Sequence, residues 1–126
     1  MGRAAREHGQ ATVELALCLP IVLLVLGALA EVGLIASDQI RLWHAAREAA
    51  RAAVVDHDPS AARDAAEGAG FESLHLTVRP EPALRRAGDP LSVSISYDRP
   101  AVVPLVGALF DQVALHAGVT MRIEVP

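Results

Sequence analysis

The sequence predicts an α+β chain in which one long N-terminal helix, half transmembrane and half amphipathic, packs on a small antiparallel sheet of about three strands. Three observations predict it. Leu15 to Ala30 is an uninterrupted apolar run, and Val13 to Ala36 as helix extends about 36 Å, enough to cross a hydrocarbon core of about 30 Å. Helical periodicity then continues to about Val55. Beyond it, three segments alternate apolar and polar residues with period two, as half-buried strands do.

The head and apolar stretch take about 35 residues, which leaves room for at most one small extramembrane domain. Hydrophobic residues make up 52% of the chain but aromatics only 3%, so small side chains must fill the contacts and helices must approach closely. The formal charge of −4 is spread without a block of like charge, and lysine is absent. That argues against nucleic acid as a partner, because phosphate binding wants clustered Lys and Arg. A lone Cys18 cannot form an internal disulfide and serves as a small hydrophobe. Leu15-Ala16-Leu17-Cys18 is not a lipobox, since Leu17 is large and the apolar run lies mostly downstream.

Arg3 and Arg6 precede the apolar run and Asp38 follows it. The positive-inside bias puts the head in the cytoplasm and residues 38–126 outside, a single-pass arrangement in the plasma membrane. Three readings of the N-terminus compete. A secretory signal peptide would be cut after Ala28-Leu29-Ala30, but Val32 to Ala36 continue the apolar character with no polar cleavage region. An uncut signal anchor is the second. The third is a leader cut on the cytoplasmic side, after Gly9, which makes Gln10 the first residue and Glu14 the fifth. A carboxylate near the hydrocarbon boundary costs about 2–3 kcal/mol unless it snorkels or finds a partner. Glu14 is either a wet marker of the interface or a group kept for such a partner.

Within the apolar helix, Pro20 removes a backbone donor and should kink or loosen the turn, which membrane helices tolerate. Gly27, Ala30, Gly33 and Ala36 place small residues where another helix can approach. Glu31 either snorkels as a wet interfacial carboxylate or pairs with an arginine of a neighbour. From Ser37 to Val55, Asp38, Arg41, His44, Glu48 and Arg51 read as a solvated face. Ile40, Trp43, Ala46, Ala50 and Val54 read as the side that meets the downstream strands, with Trp43 at the outer interface or over the domain core.

Asp58 caps a short helix that starts at Pro59 and ends at Gly68. Leu74, Leu76 and Val78 mark the first strand, and Leu91, Val93, Ile95 and Tyr97 the second, with residues 80–90 as the loop between. Pro100 and Pro104 bracket an apolar patch from Ala101 to Phe110, a loop or short helix. Val119, Met121, Ile123 and Val125 mark the third strand.

The sequence offers little chemistry. Five histidines do not cluster at ligand spacing, and Asp56-His57-Asp58 reads as a turn rather than a metal site. No Gly-rich loop carries a Lys for phosphate, and no Ser stands in a nucleophile elbow. The expectation is a non-enzyme without metal or cofactor.

The N-terminal order of basic head, Gly9, Gln10 and Glu14 resembles the signature of type IV pilins, where a glycine marks the cut and a glutamate stands five residues beyond. A longer stretch is similar to the TadE-like family of tight-adherence (Flp) pilus systems. It supplies Gly9, Val13-Glu14, Leu19-Pro20, Glu31 and Ala46-Arg47-Glu48-Ala49-Ala50-Arg51. The family often has an arginine soon after the late Glu; here Leu34 and Ile35 follow Gly33. The resemblance implies a pilin-like fold and a minor pilin or pilus-assembly component. It would comprise a leader over 1–9, a transmembrane helix over 10–36, its extramembrane continuation over 37–57 and an extracytoplasmic domain over 58–126. Gly9, Gln10 and Glu14 would serve processing by prepilin peptidase, and Glu14 would meet the new N-terminal amine of a neighbouring subunit. Pro20, Gly27, Glu31 and Gly33 would shape helix packing with other pilin-like subunits and the assembly platform. The alternative is a single-pass anchored scaffold or sensor of the envelope, outside any filament.

Overall fold

The computed structural model describes residues 3–109 and 112–123, with side chains from Gly9 onward. Phe110, Val125 and the side chains of Arg3 and Arg6 lie outside the described residues. The chain runs through a long helix α1 (Arg3–Val55), a short helix α2 (Pro59–Glu67) and strands β1 (His75–Arg79), β2 (Pro90–Arg99) and β3 (Val113–Arg122). A 3-10 turn, Pro82–Leu84, lies between β1 and β2. The three strands form one antiparallel sheet in the order β1-β2-β3. The fold is α+β, one long helix on a small three-stranded sheet.

α1 is continuous through Pro20, and its 53 residues extend about 80 Å. Its two halves differ in surroundings. From Val13 to Leu34 the large apolar side chains are exposed. From Leu42 onward one stripe is buried: Leu42, Ala45, Ala46, Ala49, Ala50 and Ala53. Alanine on that stripe lets α2 and the sheet approach the helix closely, because no long side chain holds them off. The stripe differs from the sequence reading. Ala46 and Ala50 belong to it, but Ile40 and Trp43 are exposed, so Trp43 does not cover the core.

β2 is the central strand and carries the alternation most clearly. Leu91, Val93 and Ile95 are buried and Tyr97 half-buried, while Ser92 and Ser94 face out. Burying side chains such as Leu42, Leu91 and Ile95 contributes about 1.5–3 kcal/mol each. Exposed Ser92 and Thr120, directly paired across β2 and β3, share a hydroxyl hydrogen bond at 3.1 Å. β3 starts at Val113, earlier than the expected Val119, and turns Leu115 and Ala117 into the core. Met121 and Val119 are half-buried and Ile123 is buried.

The local caps are those the sequence spells out. Asp58 accepts the Ser60 N–H at 2.9 Å at the start of α2, and Pro59 is its first residue. Asp56 accepts the Asp58 N–H at 2.9 Å, which closes the Asp56-His57-Asp58 turn. The far end of α1 is held from a distance: Arg85 donates to the Ala53 carbonyl at 3.0 Å, one of the last helical acceptors. Gln39 donates to the His116 carbonyl at 2.7 Å and ties α1 to β3.

Candidate functional site

The buried stripe of α1 does not stop at the sheet. Steps of eleven residues advance a helix by only about 20°. Ala53, Leu42, Glu31 and Pro20 therefore share one face. Glu31 is the charged member, and it is fully buried. What covers it is the end of β2 and the β2–β3 connection.

The alternation of β2 explains why. Leu91, Val93, Ile95 and Tyr97 point inward, and the next residue of that parity is Arg99. Its side chain is 3% exposed. Arg99 Nη1 donates to Glu31 Oε1, and Arg99 Nε donates to Asp38 Oδ2 at 2.7 Å. The second Glu31 oxygen accepts the N–H groups of Val103 at 2.9 Å and Val102 at 3.3 Å. A buried carboxylate is tolerated when paired and hydrogen-bonded in this way. Arg99 is buried as well, and its hydrogen bonds to Glu31 and Asp38 compensate the burial of its charge.

The network continues up α1 as exposure rises. Asp38 is 3.4 Å from Arg41, whose other nitrogen donates to the Ala69 carbonyl at 2.9 Å. The Arg41 guanidinium lies 5.0 Å from the centre of the Phe71 ring. Phe71 in turn packs against Tyr97, with ring centres 4.9 Å apart. Two carboxylates and two guanidinium groups cancel formally. The charged chain is thus neutral at the foot of the domain, where the exposed apolar half of α1 begins.

Below Glu31, the β2–β3 connection lies along the helix. A Cβ built on Gly27 would sit 3.2 Å from Val106 and 3.3 Å from Val103. The close approach of the connection requires glycine or something nearly as small there. Val106 is buried as a result.

Sequence-expected site residues divide accordingly. Glu31 pairs within its own chain, with Arg99, so it is neither a wet interfacial carboxylate nor held by a neighbour's arginine. Gly27 faces Val103 and Val106 of its own chain rather than open lipid or a second helix. Gly33 is open, with nothing within 4 Å of a Cβ placed there, as is Gly9. Pro20, Gln10 and Glu14 are exposed. Among the described residues Glu14 has no ion-pair partner. Sequence reasoning missed Arg99 and Asp38. Two signals could have found them: an arginine at an inward position of β2, and the eleven-residue step that puts Glu31 on the face of Leu42.

The same helix carries the comparison with known proteins. Residues 9–51 match the family model described as TadE-like protein. The TadE-like segment includes Gly9, Glu14, Pro20, Gly27, Glu31 and Gly33 and ends inside α1. Arg99 and the whole sheet lie beyond it. Comparison with curated proteins and with solved structures gives no match. α1 is long and apolar enough to cross a membrane from Gly9 onward.

Proposed function

We propose that the chain is a minor pilin or pilus-assembly component of a tight-adherence type IV pilus system, cut after Gly9 by prepilin peptidase. Residues 1–9 are the leader, 10–36 the membrane helix, 37–57 its continuation and 58–126 the extracytoplasmic domain. The observation that carries this reading is the pair Gly9 and Glu14 at the start of a TadE-like match, on an exposed apolar helix. Glu14 has no partner among the described residues, which suits a carboxylate that meets the freed amine of Gln10 on another subunit. The protein then acts by assembly: Glu14 sets helix register, and the exposed face of α1, including Gly33, packs against other subunits.

The test is the mass and N-terminal sequence of the protein taken from its native envelope. The expected first residue is Gln10. Glu14→Leu should keep membrane insertion and lose assembly into the filament fraction. A chain that still starts at Met1, together with unchanged behaviour of Glu14→Leu, points instead to an anchored envelope scaffold or sensor.

A further inference from the structure

We propose that the β2–β3 connection is a membrane-embedded wedge: its apolar tip sits among lipid acyl chains on the domain side of the bilayer, held against α1 by the Glu31–Arg99 pair. The occupant of its outer surface is lipid. Pro100 to Leu109 contains no charged residue. Val102, Leu105 and Leu109 are 62%, 86% and 67% exposed, and Leu105 adjoins the exposed apolar belt of α1 at Leu23 and Leu24. Glu31, the carboxylate at that junction on α1, is neutralised by Arg99.

Depth follows from the helix. If Glu14 marks one boundary, a core of about 30 Å ends near Leu34. Gly27, against which Val103 and Val106 pack, then lies about 10 Å inside it. The tip reaches further: Leu105 lines an apolar groove of about 310 Å³ with Pro20, Leu23 and Leu24.

Irregular backbone inside hydrocarbon must satisfy its own polar groups, and five of the eight N–H groups between residues 101 and 109 find an acceptor within the described residues. Pro100 and Pro104 have no N–H. Val102 and Val103 donate to Glu31. Val106, Gly107 and Leu109 donate to Pro104, Val103 and Val106 carbonyls at 2.8, 3.0 and 2.9 Å. Leu105 holds φ at 68°, a left-handed conformation that costs a β-carbon-bearing residue stability, and that turn directs its side chain outward. In water both the backbone and the exposed leucine would be unfavourable. In lipid the exposed side chain is in its preferred solvent, which offsets the strain.

The test uses the full chain in phosphatidylcholine vesicles, with Trp43→Phe removing the native fluorophore and Leu105→Trp placing one at the tip. The expected signal is blue-shifted, resists acrylamide and loses more than half its intensity to lipids brominated in mid-chain. Leu109→Trp is a second probe, expected to behave alike. Adding Arg99→Gln should free the wedge and raise acrylamide quenching at least twofold. Ready acrylamide quenching of both probes without bromine quenching places the connection in water and overturns the proposal. Resistance to both quenchers means protein covers the tip, a second copy being the occupant, and overturns it equally. None of these outcomes depends on cleavage after Gly9.

Discussion

Glu14 and Glu31 lie on one helix, at the edges of one apolar stretch, and their surroundings are opposite. Glu14 is exposed and unpaired among the described residues. Glu31 is fully buried, with an arginine and two backbone donors on its oxygens. Local sequence makes them look alike. What separates them is the rest of the chain: the sheet returns to α1 at Glu31 and never reaches Glu14. A carboxylate that its own fold satisfies has a structural duty, and one left open is available to another molecule.

The largest expected effect comes from breaking the satisfied one. Arg99→Met leaves the Glu31 carboxylate buried with backbone donors alone and leaves Asp38 with Arg41 as its partner. Thermal unfolding of the reconstituted full chain should fall by about 10 °C or more, as expected for an orphaned buried charge. Glu31→Gln should cost less, because an amide oxygen still accepts from Val102 and Val103. The double variant should recover part of the Arg99→Met loss, and the cycle measures the coupling. Glu14→Gln should move the transition by less than about 3 °C, as for a surface change. Equal losses at the two glutamates would erase the distinction.

The same contrast holds for two glycines. Gly27 meets Val103 and Val106, whereas Gly33 meets nothing. Gly27→Leu should overpack that contact and cost about 1–3 kcal/mol. Gly33→Ala should gain up to about 1 kcal/mol of helix propensity with no clash. The two are compared by the same thermal scan, and the opposite signs are the result to check. A loss at Gly33 would mean that its face is covered in the assembled protein.

These contrasts show what can be read locally. The span, the Asp58 cap, the Pro59 start and the alternation of β2 are all short-range patterns, and each was legible. The first half of β3 was not. Val113, Leu115 and Ala117 alternate with Ala114, His116 and Gly118, and alanine and glycine carry weak strand preference. Pairing with β2 fixes that segment as strand, with Gly118 opposite Ser94 and Ala117 opposite Ile95. Arg99 was hidden for a related reason. Before a proline, an arginine looks like the end of a strand; it becomes a core residue only when β2 parity and the turn of α1 bring it to Glu31. The helix face was misread by a small rotation, because an alanine-rich helix offers few large residues to mark its buried side.

The smallest expected effect lies where local sequence decides everything. Asp58 has its pKa below the ordinary 3.8, first because its carboxylate accepts the Ser60 backbone N–H. Folding therefore favours the charged form. The sign follows: the capping contribution is fully present above about pH 4, and it is lost as pH falls through the lowered folded value. Thermal scans from pH 7 downward should show this component only at the acid end. Asp58→Ala should remove it at every pH and flatten that part of the profile, while Asp58→Asn, which keeps a capping oxygen, should hold most of the stability without the acid dependence. Unlike the Glu31 pair, this contact is solvent-exposed and confined to one turn. Its loss should loosen α2 against amide exchange before it disturbs the sheet. If Asp58→Ala instead released the sheet from α1, the division between local and long-range contacts drawn from the two glutamates would fail.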